Sequence, residues 1–195
     1  MSVRVASVLA FISSGLALWA FAGDSHVDEP ALLIADRLYT VADDFVVEIY
    51  HNGKPVPDGR RTLLEEVFGA TAEQVDIEVY EGDWIVFNVV NNRLRWGGCS
   101  YFGVTGRGPA GIAFTTKPGD ASWSYCDDPA QVARFINDSD YLALQQVRPI
   151  ESPWSGGDSL MNRIADGWSG KPVWGERRNT WIKYRAHPRP ADVPR

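Results

Sequence analysis

Residues 75–98, VDIEVYEGDWIVFNVVNNRLRWGG, decide the predicted fold. Apolar and polar side chains alternate over residues 75–80, which is the pattern of a strand with one face in water. Turn residues follow at 81–83, and Trp84–Val90 is then apolar on both faces. We therefore predict a hairpin of two strands, the second inside a sandwich because a fully apolar strand needs cover on both sides.

Further strand signals, each bounded by turn residues, recur along the chain. Residues 45–51 are rich in β-branched and aromatic side chains, and the Asn-Gly pair at 52–53 accepts the positive φ angles of a tight hairpin turn. Residues 100–106 and 111–118 predict two more strands around a glycine-rich turn, and residues 180–186 predict a closing strand. Short strands separated by turns predict an all-β sandwich or barrel.

Three short segments predict helical insertions between the strands. Residues 61–68 have helical apolar spacing and precede Gly69, which is placed as a C-cap. In the segment 126–137, Asp128 is the expected N-cap and a proline follows it at the first helical position. A third short helix is expected at 159–165. Parallel α/β architecture would need longer helices, so it is not predicted.

The ends of the chain predict export and a single domain. Residues 1–22 have a positive start, an apolar stretch and an Ala-x-Ala ending, as in a signal peptide. The alternative is an uncleaved membrane anchor, because the apolar stretch approaches the length of a membrane span. After cleavage, residues 23–186 would form one β-sandwich domain, with 28–44 as an ordered lead-in and 187–195 as a disordered tail. The expected location is secreted or periplasmic, with no stable membrane insertion after cleavage.

Charge argues against two classes of partner. The formal net charge is -6 at pH 7, from 25 acidic and 19 basic residues. An acidic surface repels phosphate backbones and anionic lipid headgroups. Nucleic acid and membrane surfaces are therefore not expected as partners.

The two cysteines, Cys99 and Cys126, are predicted to form a disulfide. An even pair in an exported chain favours oxidation, and closing a loop of this length would stabilise the fold by about 3 kcal/mol. The alternative is two buried thiols, because sequence alone does not supply the Cα separation.

Turn and strand signals from residue 45 to residue 125 follow an order known from one superfamily. The residues that carry it are Tyr50, Asn52, Gly53 and Lys54 of the first hairpin, Gly82 and Asp83 of the next turn, and Ser122 and Trp123 of a later segment. In this order the chain resembles the jelly-roll domains of the galactose-binding-like superfamily. The resemblance implies an antiparallel jelly-roll β-sandwich, and many such domains are carbohydrate-binding modules while others are structural supports. The sequence after Cys126 departs from the pattern.

Aromatic residues provide the main functional signal, since the chain contains eight Trp, seven Tyr and eight Phe. Sugars present apolar C–H faces to indoles and hydroxyls to amides, carboxylates and guanidiniums, so a sugar site combines these side chains. Two clusters have this composition. One is residues 91–96, which precede Cys99, and the other is residues 123–128, which lie on both sides of Cys126. The predicted ligand-binding residues are Asn92, Arg93, Arg95, Trp96, Trp123, Tyr125 and Asp127.

Each cluster also has a structural interpretation. Trp84, Trp123 and Trp181 would equally serve as core residues, and residues 91–93 would equally form a turn that satisfies its own backbone. We therefore carry two hypotheses of different class. The first is an exported, non-catalytic carbohydrate-binding or cell-surface module with a glycan partner; the second is a structural or protein-contact domain of an exported assembly.

Sequence signals for catalysis and metal binding are weak. The three histidines are scattered, and none follows a cysteine at the spacing of a copper site. The acidic run at 137–140 lacks the glycine and distal glutamate of a calcium-binding loop. No nucleophile elbow, zinc-protease or phosphate-loop motif is present. We predict no cofactor, no metal and no catalytic residues.

Overall fold

The computed structural model describes residues 31–67, 69–91, 100–141, 148–149 and 155–187. These residues form two antiparallel β-sheets that pack face to face, with two short helices on the outside. The predicted fold class, an all-β sandwich with short helical insertions, is confirmed. The predicted signal peptide at 1–22 and most of the predicted tail lie outside the described residues.

Twelve strands and two helices make up the described fold. The strands are β1 (Leu33–Asp43), β2 (Phe45–His51), β3 (Lys54–Pro55), β4 (Arg61–Val67), β5 (Ala70–Tyr80), β6 (Trp84–Val90), β7 (Phe102–Gly108), β8 (Gly111–Thr115), β9 (Trp123–Cys126), β10 (Arg148–Pro149), β11 (Val173–Trp174) and β12 (Asn179–Arg185). The helices are α1 (Val132–Asn137) and α2 (Ser155–Ile164), and a 3₁₀ turn spans Asp58–Arg60. The predicted hairpin at 52–53 joins β2 to β3, with positive φ angles at both turn residues.

Seven strands form the first sheet, in the order β10–β11–β7–β1–β5–β4 with β8 also paired to β7. The other five form the second sheet, in the order β3–β2–β6–β12–β9. Strand β6 therefore lies at the centre of the second sheet, and its five middle residues are buried. This confirms that the apolar strand at 84–90 lies inside the sandwich.

The predicted hairpin between β5 and β6 is wrong, because these two strands belong to different sheets. Both edges of β5 pair with β1 and β4, and both edges of β6 pair with β2 and β12. The turn between them carries the chain across the sandwich: Gly82 has φ of 89° and donates its N–H to the carbonyl oxygen of Ala186. Alternation predicts strands, but either edge of a strand can pair with any neighbour.

The predicted helix at 61–68 is also wrong, since Arg61–Val67 is the edge strand β4. Its pairing with β5 contains a register shift between Leu63 and Glu65, a β-bulge. Leu63 and Leu64 are consequently both exposed, at 58% and 42%. Two neighbouring apolar residues resemble a helical stripe in sequence, yet here pairing with β5 overrides the local preference.

The predicted lead-in at 28–44 contains β1, an 11-residue strand in the interior of the first sheet. Strand β1 pairs with β5 along one edge and with β7 along the other, and its Leu38 is fully buried. Buried apolar residues were expected here, but the central position was not.

Apolar side chains fill three regions of the fold. Between the sheets, the ring centroids of Phe87 and Phe102 lie 5.1 Å apart. On the outer face of the first sheet, helix α2 packs on β1 and β5 and buries Met161. On the outer face of the second sheet, helix α1 places Phe135 in a cluster with Val86 of β6. Strand β6 is therefore covered on both faces, as its sequence requires.

The helix boundaries differ from those predicted. Helix α1 begins at Val132, because Asp128 instead closes a turn: its carboxylate accepts the N–H of Ala130 at 3.0 Å, and its carbonyl oxygen accepts the N–H of Gln131 at 2.9 Å. Helix α2 begins at Ser155, four residues before the predicted start. Within the described part of the chain, neither helix has the length and apolar character of a membrane span.

Candidate functional site

A groove of about 490 Å³ lies where strand β12 begins and helix α1 approaches it. We call it the Trp181 groove. Its lining residues are Asp127, Pro129, Val132, Arg177, Arg178, Asn179 and Trp181. A volume of this size is within the range of small-molecule sites.

The indole of Trp181 provides the aromatic part of this groove. Trp181 lies on the outer face of the second sheet, in register with Asn88 of β6 and Cys126 of β9. Its ring centroid is 6.1 Å from that of Tyr50, with the rings tilted by 48°. Trp181 is partly exposed, whereas Trp123, Trp168 and Trp174 are buried. The groove therefore combines an accessible indole with the apolar side chains of the loop before α1.

The turn before β12, residues 175–178, carries the polar part of the groove, and four hydrogen bonds tie its backbone to the ends of neighbouring strands. Asp127 Oδ2 accepts the N–H groups of Glu176 and Arg177 at 2.6 and 2.9 Å. The indole N–H of Trp174 donates to the carbonyl oxygen of Arg177 at 2.7 Å. The N–H of Asn91 donates to the carbonyl oxygen of Arg178 at 2.8 Å. These ties come from the ends of three strands, so the turn is fixed before any ligand arrives.

Gly175 allows this turn to lie close to the core. A Cβ at this position would lie 2.2 Å from Thr180 Oγ1, 2.8 Å from Tyr125 Cδ2 and 2.9 Å from Asp127 Oδ1. A side chain would therefore push the turn outward, away from the carboxylate that anchors it.

The guanidiniums of Arg177 and Arg178 are exposed at the groove. Neither has an ion-pair partner among the described residues. Asp127 is the one carboxylate among the lining residues, and its Oδ2 already accepts two N–H groups. Its Oδ1 is buried, without a hydrogen-bond partner in the described structure. The groove can thus supply an apolar ring face, an amide and two guanidiniums.

The structure separates the predicted ligand-binding residues into three groups. Trp123 and Tyr125 are 1% and 2% exposed and lie in the core between the sheets, where the Trp123 indole donates to the carbonyl oxygen of Thr115. Neither ring offers a surface to a ligand in this conformation. Asp127 lines the Trp181 groove and positions its turn. The remaining predicted residues, Asn92, Arg93, Arg95 and Trp96, lie outside the described residues.

Asn91, whose backbone contacts Arg178 of the groove, is a buried polar residue. Its side chain donates to Ser100 Oγ at 3.0 Å and to Asp43 Oδ2 at 3.2 Å. Burial, together with the neighbouring Asp44, raises the pKa of Asp43 to about 6. Asn91 is thus a structural residue that connects Asp43, Ser100 and Arg178.

Cys126 is buried and unbonded in the structure, and burial raises the pKa of its thiol. Its predicted partner Cys99 lies outside the described residues, so the disulfide stays a prediction.

A second groove, of about 720 Å³, lies on the β5 side of the molecule and is acidic. Its acidic lining residues are Asp36, Asp76, Glu78 and Asp83. Asp83 has a structural role, because its carboxylate accepts the Asn52 amide at 2.7 Å, the Tyr80 N–H at 2.8 Å and lies 2.8 Å from His51 Nε2. Across the described ranges, no three His, Cys, Asp or Glu side chains converge as a metal site would require.

The segment Glu-Arg-Arg-Asn-Thr-Trp at 176–181 is a candidate binding signal that sequence reasoning missed. It combines guanidinium, amide and indole groups in the same way as residues 91–96. Trp181 was weighed only as a core residue, because it lies within a predicted strand. Alternation along that strand, with Ile182 facing the core, would have placed Trp181 on the other face.

Comparison of the chain with protein-family models, curated proteins and solved structures finds no significant match. The resemblance to galactose-binding-like domains therefore stays a prediction, and function must be argued from the groove itself.

Proposed function

We propose that this protein is an exported, non-catalytic carbohydrate-binding module whose glycan lies in the Trp181 groove. The observation that carries the proposal is a partly exposed indole beside Asn179 and two guanidiniums without ion-pair partners, on a turn held by backbone hydrogen bonds. These are the groups that sugar recognition uses: an apolar face for the C–H groups of a ring and polar groups for its hydroxyls.

The fixed turn supports binding because little conformational freedom remains to be lost. Residues that are already ordered in the free protein reduce the entropic cost of binding. Each hydrogen bond contributes about 1 kcal/mol net to binding. Because the groove offers few such contacts, we expect a dissociation constant for the glycan on the order of 10⁻⁴ to 10⁻³ M.

The predicted ligand-binding residues Asn92, Arg93, Arg95 and Trp96 lie outside the described residues, so their part in binding stays a prediction. They follow Asn91, whose backbone contacts Arg178 at the edge of the groove. Asp127 acts by positioning, since its carboxylate is occupied by backbone N–H groups. Trp123 and Tyr125 are buried in the core and have no part in binding in this proposal.

The test is a glycan array followed by calorimetry on wild type, Trp181→Ala and Tyr80→Ala. Tyr80 is the matched control, because it is a partly exposed aromatic residue at the second groove. We expect Trp181→Ala to weaken binding at least tenfold, equivalent to about 1.4 kcal/mol, and Tyr80→Ala to leave it unchanged. Thermal unfolding of each variant checks that its fold is intact. Equal binding by Trp181→Ala and wild type would exclude the groove.

A second candidate function is a structural or protein-contact domain of an exported assembly. It is favoured by exposed apolar residues at neighbouring edges of the two sheets: Phe45 and Val47 of β2 are 50% and 49% exposed, and Leu63 and Leu64 of β4 are also exposed. Arg61 connects these edges by donating to the carbonyl oxygens of β2. Absence of binding to every glycan, with self-association that Leu63→Ser abolishes in analytical ultracentrifugation, would favour this function over the first.

A further inference from the structure

We infer that the Trp181 groove selects acidic glycans, those that carry carboxylate or sulfate groups, over neutral ones. This inference rests on the proposed function and adds the chemical class of its ligand. The deciding groups are the two neighbouring guanidiniums of Arg177 and Arg178.

The two arginines differ from most others in the described structure. Five arginines have a carboxylate oxygen within 4.0 Å: Arg37, Arg61, Arg134, Arg163 and Arg185. Arg177 and Arg178 have none in the described part of the chain, although acidic residues outnumber basic ones by 25 to 19 in the whole sequence. In so acidic a chain, two adjacent cations without partners at a groove are available to an external anion.

Within the described ranges, the hydrogen bonds of Arg177 and Arg178 that hold the turn use their backbone groups. Arg177 contributes its N–H and carbonyl oxygen, and Arg178 its carbonyl oxygen. The fold therefore holds the two Cα positions firmly and leaves both side chains for a ligand. This division is what a pre-organised binding site requires.

The charge of the groove favours an anion. Two guanidiniums face one carboxylate among the lining residues, and the Oδ2 of that carboxylate, on Asp127, is already occupied by two N–H donors. The second groove has the opposite character, with four carboxylates beside Arg60 and His51. Because the chain carries a formal net charge of -6, the molecule as a whole repels an anionic glycan, whereas this groove attracts it.

Guanidinium chemistry defines the ligand further. The N–H donors of a guanidinium lie in one plane and can bind two oxygens of a carboxylate or sulfate at once. These hydrogen bonds are charge-assisted, so they are shorter and stronger than hydrogen bonds between neutral groups. A uronic acid or sulfated sugar also keeps the apolar ring face that Trp181 needs. One ligand can therefore satisfy both parts of the groove.

The experiment uses the full-length protein and three probes: trigalacturonic acid, its methyl ester, and a sulfated galactose oligosaccharide. Acid and ester share one skeleton and differ in charge, and the sulfated probe distinguishes the two sources of negative charge. The variants are Arg177→Ala, Arg178→Ala and their double mutant. Arg163→Ala is the control, because Arg163 lies on α2, where it pairs with Glu65.

We expect at least one of the two acidic probes to bind tenfold or more tightly than the methyl ester at low ionic strength. Each groove variant should reduce this preference severalfold, and the double mutant and high salt should each abolish it. Arg163→Ala should leave it unchanged. Which acidic probe binds more tightly identifies carboxylate or sulfate as the recognised group.

Two outcomes would overturn the inference, and they differ in what they say about the proposed function. If the methyl ester binds as tightly as the acidic probes and Trp181→Ala weakens it, the groove binds glycans without selecting charge. If neither these probes nor any array glycan binds, the proposed function fails and the inference fails with it.

Discussion

At the scale of the residue, Lys183 is the most unusual side chain in the described fold. It is fully buried on the outer face of β12, with its ammonium group 4.4 Å from the centroid of the Phe135 ring. Nζ donates to the carbonyl oxygens of Asp138 and Tyr141 at 2.9 and 3.1 Å, and so ties the turn after α1 to the second sheet. Burial lowers the pKa of Lys183 to about 8, despite attraction from Asp138.

This pKa predicts that Lys183 makes stability rise with pH above about 8. Between this value and the ordinary lysine pKa of about 10.4, the unfolded chain binds a proton that the folded chain does not. We expect the free energy of unfolding of wild type, minus that of Lys183→Met, to increase by about 1 to 3 kcal/mol from pH 7 to pH 10. Urea denaturation at several pH values measures it.

The difference between the two proteins is the informative quantity. Taking it removes contributions that both share, such as that of the Tyr184 hydroxyl, whose pKa burial raises. The two carbonyl bonds lost in Lys183→Met shift the difference by a constant and do not change its slope. A difference independent of pH would show that Lys183 is not held in a desolvated site.

At the scale of the element, β1 and β7 approach so closely that one position excludes any side chain. A Cβ on Gly108 of β7 would lie 2.2 Å from the carbonyl oxygen of Ile34 and 2.9 Å from its carbonyl carbon. Both are backbone atoms of the paired strand β1, so they cannot rotate away as the atoms of a side chain would. The glycine is therefore needed for space, since its φ is not in the left-handed region.

We expect Gly108→Ala to reduce the free energy of unfolding by about 1 to 3 kcal/mol, because the strands must separate to admit the methyl group. Gly59→Ala is the matched control: it has nothing within 4 Å of an added Cβ and has no positive φ. That variant should be neutral or slightly stabilising, since it restricts the unfolded chain. Equal stability of the two variants in urea denaturation would contradict the close approach.

At the scale of the whole molecule, the predicted export and disulfide make one combined prediction. Removal of residues 1–22 would start the mature chain at Gly23, and the oxidising compartment would favour a bond between Cys99 and Cys126. We expect the intact mass of the protein from its native location to match this start and to increase by two hydrogen atoms on reduction.

Each part of this prediction can fail separately. Recovery of a chain starting at Met1 from the membrane fraction would contradict cleavage. An unchanged mass on reduction would contradict the disulfide, and would agree with the unbonded Cys126 of the structure.

Sequence periodicity alone determined that the chain forms β-strands of an all-β sandwich or barrel. Alternation at 75–80 and double-sided apolarity at 84–90 are local properties, because successive side chains of a strand point to opposite faces whatever its partners are. The same argument predicted the β2–β3 hairpin, where Asn52 and Gly53 accept backbone angles that most residues avoid.

Only the tertiary structure decided which strands pair and which aromatic rings are accessible. Strands β5 and β6 are consecutive in the chain yet lie in different sheets. Residues 61–67 form a strand because their backbone pairs with one edge of β5. Trp123 and Trp181 both lie on strands of the second sheet, but one ring faces the core and the other faces the groove. Backbone hydrogen bonds are the same for nearly every residue type, so they do not select which strands pair. Strand pairing and the exposure of each aromatic ring are determined by how all the apolar faces of the chain are buried together.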